Sequence, residues 1–293
     1  MGALTEHRVV VPLRLPVAGL STVRAVLLEG PAGWGECSTP PPGYPVDAVH
    51  ARRAAEEAAC GRWPSAVRER VPVNALVPAA GPATAASVAA AAVGTGAGCV
   101  KVKVGEGDDA DRVAAVRDAV GPNVALRLDA NGAWDVETAV RNVARLAPYG
   151  LELVEQPVAS LDDLARVRRR VAVPVAADES VRCLDDARRL HALDAADAVV
   201  VKVQPLGGVA AALEVAEAAG VPAIVSSLYE TSVGLAAGLA LAAALPELPY
   251  ACGLGTAALL AGDVVADPLV PVNGELAVRR PVPDPELVAR YAS

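Results

Sequence analysis

The chain of 293 residues carries a net charge of −8 and 53% hydrophobic residues, with no phenylalanine. That length suits one large α/β domain or a barrel with a small appendage. The acidic balance, with no basic run, argues against nucleic acid as a partner. The five cysteines (Cys37, Cys60, Cys99, Cys183 and Cys252) are odd in number and form no C-x-x-C pair, so they read as reduced thiols in a cytoplasmic protein. The opening residues carry no leader pattern, and the apolar stretch at 233–245 is too short for a membrane span, so no membrane role is expected.

Residues 8–15 and 24–29 alternate like antiparallel strands. Gly33-Trp34-Gly35-Glu36 and a Pro-rich stretch at 39–45 follow, then a helical pattern at 47–61. These read as a small α+β module. From about residue 72 one phrase repeats: a Val/Leu-rich run, a short polar turn and an Ala/Arg/Asp helix. The predicted strands are 73–77, 99–104, 125–129, 151–155, 173–177, 198–203, 223–227 and 250–253. Continuous apolar strands alternating with helices imply a parallel sheet covered on both faces, and eight such units without a break imply a TIM-type barrel. A doubly wound open sheet is the alternative, but no strand reads as an edge. The expected division is a capping domain at 1–71, a barrel at 72–268 and a Pro-broken segment at 269–293 that returns to the cap.

Only three of the 26 basic residues are lysine, and all three (Lys101, Lys103 and Lys202) lie in strand-like segments. Compositional bias accounts for the arginines but not for that placement. Lysine can give up its proton when buried, whereas arginine cannot, so these positions suit proton transfer. Lys103, Asp129, Glu155, Asp178 and Lys202 are separated by 26, 26, 23 and 24 residues, each at the C-terminal end of a predicted strand. In a barrel those ends form one rim, where active sites occur. Three converging carboxylates need a cation, and an all-oxygen set favours Mg²⁺ over Zn²⁺, with Mn²⁺ as a substitute. Each carboxylate taken alone also fits a turn or a helix cap. Their common register is what argues for a site. Losing one of them is expected to relieve repulsion and leave the metal-free fold intact.

Other signals are weaker. Gly105-Glu-Gly107-Asp-Asp-Ala110 formally matches a dinucleotide fingerprint, but Asp108 and Asp109 would repel a pyrophosphate at the helix start. His7, His50 and His191 fall outside the strand ends. Lys101 shares a face with Lys103 by strand alternation, and it suits either a substrate contact or a partner of a carboxylate.

Several stretches together resemble the muconate-lactonising-like subgroup of the enolase superfamily. They are Lys101-Val-Lys103-Val-Gly, Arg127-Leu-Asp129-Ala-Asn131-Gly-Ala-Trp134, Val-Glu155-Gln-Pro, Ala-Asp178-Glu179-Ser and Val-Val-Lys202. Gly33-Trp-Gly-Glu36, Ser226-Ser-Leu-Tyr-Glu230 and Cys252-Gly-Leu-Gly255 fit as well. Within that subgroup the short chain and the Arg127–Trp134 stretch are most similar to the o-succinylbenzoate synthase family of menaquinone biosynthesis, a family of lyases. The resemblance implies a (β/α)₇β barrel with a cap, and Mg²⁺ held by Asp129, Glu155 and Asp178. It implies Lys103 as acid/base and Lys202 as the cation on the opposite face. Arg127, Asn131 and Glu179 would support the ligands, and Asn131 with Lys101, Ser226, Ser227 and Gly253 would line the pocket for a small carboxylate substrate. The Gly19-Leu20 turn would be a lid. Lys202 is followed by Val-Gln-Pro, a departure from the turn usual there. Monomers or small homo-oligomers both fit. An N-acylamino-acid racemase or dipeptide epimerase on the same scaffold, and a non-catalytic metal-binding barrel, are the rival readings.

Overall fold

The computed structural model describes residues 4–17, 19–42, 44, 46–107 and 109–293. Asp108 and residues 1–3, on which two sequence readings rest, lie outside the described residues, as do Ala18, Gly43 and Pro45 of the lid and Pro-rich segments.

The chain begins with three antiparallel strands in the order β1 (Thr5–Val17), β2 (Leu20–Gly30) and β3 (Gly33–Ser38). Val9, Val11 and Leu13 are buried and alternate with exposed Arg8, Pro12 and Arg14 and half-buried Val10, the alternation of a sheet with one wet face. Helix α1 (Ala48–Ala59) starts at Asp47, whose carboxylate accepts the Val49 N–H at 2.8 Å. It lies so close to β3 that a Cβ on Gly35 would sit 1.9 Å from the Ala55 carbonyl oxygen.

Strand β4 (Arg70–Pro72) leads into the α/β repeat. The elements are β5 (Ala75–Val77), α2 (Pro82–Gly94), β6 (Cys99–Lys103), α3 (Asp109–Val120), β7 (Ala125–Asp129), α4 (Val136–Leu146), β8 (Leu151–Glu155) and α5 (Leu161–Arg168). The repeat continues with β9 (Val175–Ala177), α6 (Leu184–Leu193), β10 (Ala198–Lys202), α7 (Val203–Leu206), α8 (Val209–Ala219), β11 (Ala223–Ser226) and α9 (Ser232–Ala244). Strands β5 to β11 pair in chain order, in parallel. The predicted eighth strand is reduced to two bridging residues: Gly253 pairs with Ser226 and Cys252 with Val73, which closes the barrel. The (β/α)₇β barrel with an α+β cap is therefore the fold.

Several boundaries differ from the sequence reading, and three of them have a clear local reason. The run at 73–77 splits at Asn74, because the Val73 N–H turns to the Gly274 carbonyl. Strand β9 starts only after Pro174, which has no N–H for the ladder. Val203 leaves β10 and opens α7, whose end is turned by Gly207 at φ +87°.

The C-terminal segment first pairs β12 (Glu275–Ala277) with β4. It ends in α10 (Pro285–Arg290), after which the Tyr291 carbonyl accepts the Val10 N–H at 2.8 Å. Among the described residues no helix is long and apolar enough to cross a membrane, and the five cysteines are all free thiols.

Candidate active site

Strand pairing puts Lys103 opposite Asp129 and Asp129 opposite Glu155, while Lys202 pairs with Ser226 on the far side. Asp178 follows β9 directly. The five rim residues thus stand at one end of the barrel, with three carboxylate strands between the two lysine strands. All three carboxylates are buried.

The lysines neutralise them. The Lys101 ammonium bridges Asp129 at 2.9 Å and Glu155 at 2.7 Å. Lys103 donates to Asp129 and to the Asn131 side-chain oxygen, both at 2.7 Å. Lys202 donates to both oxygens of Asp178 at 2.5 Å. Burial by itself would raise the Asp129 carboxyl, but Lys101 and Lys103 outweigh it and hold Asp129 well below the usual range. Glu155 is pushed up to about 8 by burial and then by the Asp129 charge. Burial would lower the Lys101 and Lys202 ammonium groups, yet the carboxylates around them hold both above the usual lysine range.

A metal would find only carboxylate oxygens here, which suits a hard divalent cation. Among the described residues no three such groups already form a ligand cluster. Ammonium groups occupy the carboxylate oxygens instead, so the site is built to hold positive charge. The donor set fits the cation in its chemistry, and the lysines would have to release the oxygens it takes.

Other residues from the sequence reading divide. Asn131 connects Lys103 to the neighbouring loop, its amide donating to Glu179 at 2.8 Å. Its φ of +46° is one that asparagine tolerates. Lys101, expected at the substrate, is committed to two carboxylates. Arg127, expected to support the ligands, lies one barrel layer lower, because strand alternation returns it to the inner face two residues before Asp129. There it pairs with Glu152 and donates to the Ala251 carbonyl at 2.7 Å, and, against burial, the Glu155 carboxylate adds to the charges that hold its guanidinium above the usual range. Ser227, expected in the pocket, spends its hydroxyl on the Gly253 carbonyl at 2.8 Å and on Thr256 at 3.0 Å. Ser226 packs on Gly253 so tightly that an added Cβ would meet its Oγ at 2.4 Å. Gly19, in the expected lid, faces the Pro42 ring.

A family model described as "Enolase C-terminal domain-like" matches residues 83–284. The o-succinylbenzoate synthase of Thermobifida fusca is 54% identical over 279 residues, covering 94% of this chain and 88% of that one. That of Mycolicibacterium smegmatis is 46% identical, covering 98% and 89%. The chain belongs to the o-succinylbenzoate synthase family, within the enolase superfamily. Among solved structures, a 2-chloromuconate cycloisomerase from Rhodococcus opacus superposes with a TM-score of 0.89 at 25% identity, covering 99% of each chain. An N-succinyl Arg/Lys racemase from Bacillus cereus gives 0.89 at 21%, covering 99% of this chain and 97% of that one, a likeness of fold alone.

Three side chains of this family member escaped the sequence reading. Gln156 is fully buried, and its amide oxygen accepts the N–H groups of Asp178 at 2.7 Å and Ser180 at 3.3 Å, so it sets the course of the Asp178 loop. The Glu155-Gln-Pro motif was its only signal. Tyr229 holds a φ of +87°, strained for an aromatic residue. Its phenol is raised by burial, against the lowering charges of Lys103 and Lys101. Tyr44, from the cap, reaches Lys202 with its hydroxyl at 3.0 Å, and the ammonium lies 4.4 Å from its ring centroid. Nothing in the Pro-rich run marks Tyr44 as part of a site.

Proposed function

We propose that the chain is an o-succinylbenzoate synthase. It would catalyse the syn-dehydration of 2-succinyl-6-hydroxy-2,4-cyclohexadiene-1-carboxylate to 2-succinylbenzoate, a step of menaquinone biosynthesis. In this reading it is a cytoplasmic hydro-lyase, a monomer or small homo-oligomer, divided at 1–71, 72–268 and 269–293. The observation that carries the reading is the 54% identity to an o-succinylbenzoate synthase over nearly the whole chain.

Lys103 takes the proton α to the carboxylate as a neutral amine and becomes an ammonium. The same ammonium then protonates the departing hydroxyl, the carbon–oxygen bond breaks, water leaves and the ring becomes aromatic. One group acting on both atoms makes the elimination syn. Lys103 suits this task better than Lys101, because its side chain is 25% exposed against 11%. Lys202 stays charged on the opposite side and faces the ring, a contact of up to ~2 kcal/mol once water is excluded. Asp129, Glu155 and Asp178 would hold Mg²⁺ or Mn²⁺, which supplies positive charge for the negative charge developing on the substrate carboxylate. Asn131 and Glu179 orient Lys103 through their shared hydrogen bonds.

The test is to follow aromatic absorbance with the cyclohexadiene carboxylate, and racemisation of N-succinyl amino acids, in one enzyme preparation. Dehydration is expected to exceed racemisation by orders of magnitude in kcat/KM. Equal or faster racemisation would displace the proposed reaction as the main function.

A further inference from the structure

We propose that Tyr44 is a positioning residue for Lys202: the cap supplies the hydroxyl and the ring face that hold this ammonium in place. The proposal rests on the reading of Lys202 as the cation of the dehydration.

Lysine is a point charge on a flexible four-carbon stem, and its position is set by what it touches. Among the described residues the Lys202 ammonium bonds two groups. One is Asp178, through both oxygens. The other is Tyr44, whose hydroxyl accepts from Lys202 at 3.0 Å and donates onward to Asp178 Oδ1 at 3.2 Å. The ammonium also lies 4.4 Å from the Tyr44 ring centroid, within cation–π range. In the proposed reaction Asp178 has a second duty as a metal ligand, and Tyr44 has none. Tyr44 is therefore the partner free to hold Lys202 throughout turnover. Because it belongs to the cap, Lys202 is correctly placed only when the cap is seated on the barrel.

The test compares wild type, Tyr44→Phe and Tyr44→Leu as full-length protein. The phenylalanine variant keeps the ring and loses the hydroxyl, and the leucine variant loses both. With metal present, Tyr44→Phe is expected to lower kcat about tenfold, the scale of one hydrogen bond to a charged group. Tyr44→Leu should lower it about 100-fold, with KM within about twofold of wild type in both. An independent readout needs neither metal nor substrate. The chain has three lysines, so reductive methylation followed by mass spectrometry reads each one. Labelling of Lys202 relative to Lys101, which has no hydrogen bond to Tyr44, is expected to rise in Tyr44→Leu. Unchanged kcat in both variants, or a loss confined to KM, overturns the proposal, and so does an unchanged labelling ratio. If wild type fails to dehydrate the substrate, the functional reading fails, and the labelling ratio alone decides whether Tyr44 holds Lys202.

Discussion

Glu57 of the cap helix accepts the backbone N–H of Val209 at 2.5 Å and that of Ala210 at 3.2 Å, at the first turn of barrel helix α8. Glu36, on β3, does the same for α9, accepting from Thr231 at 3.0 Å and Gly234 at 2.9 Å. The free N–H groups at a helix start attract a hydrogen-bond acceptor, so the cap is docked by two carboxyl groups placed on the starts of two barrel helices.

Glu57→Ala is therefore expected to destabilise the protein by about 1–2 kcal/mol, the range of a lost helix cap. Gly208 sits at φ +133°, and a Cβ there would meet Glu57 Oε2 at 2.4 Å, so Gly208→Ala breaks the same contact. Urea unfolding should show the double variant losing less than the sum of the two singles. Full additivity would mean that Glu57 and Gly208 do not act on one contact.

Glu230 gives a pH dependence. Burial, then the charge of Glu36, push its carboxyl up to about 8 from an ordinary 4.5. The folded state then binds a proton that the unfolded state has lost, so stability is fully present below about pH 4.5. It declines as pH rises toward about 8 and levels off above it. Glu230→Gln mimics the protonated acid and should flatten this slope. Equal Tm shifts between pH 5 and pH 8 in wild type and variant would discard the assignment.

Metal-free stability should separate two ligand variants. The sequence alone suggests that losing any of the carboxylates relieves repulsion. The lysines reverse that expectation for Asp178, among the described residues the one carboxylate within ion-pair distance of buried Lys202. Asp178→Asn strands this charge and is expected to cost about 3 kcal/mol. Glu155→Gln leaves Lys101 paired with Asp129 and should cost less. Unfolding in chelator decides the order, and equal losses would contradict it.

Lys103→Arg is expected to be as inactive as Lys103→Ala, because arginine keeps the charge but cannot release a proton. General acid–base catalysis is typically worth ~10²–10⁴ in rate. Activity within about tenfold of wild type in the arginine variant would move the base elsewhere.

Much of this molecule could be read along the chain. The repeat of apolar runs and helical stretches determined the barrel, because a parallel strand buried on both faces has to be continuously apolar. The register of Lys103, Asp129, Glu155, Asp178 and Lys202 followed from strand ends alone, since equal strand positions become one rim when the sheet closes. Depth and direction were decided only by the tertiary structure. Arg127 and Asp129 share a face by alternation, but only the closed barrel shows that Arg127 belongs with Glu152 a layer below. Lys101 and Lys103 are equivalent in the sequence, and packing turned the first onto two carboxylates while leaving the second partly open. Tyr44 meets Lys202 across 158 residues, and Glu57 meets Val209 across 152. Contacts between a cap loop or helix and a distant strand end or helix start leave no periodicity in the chain, so they exist only once the cap has docked.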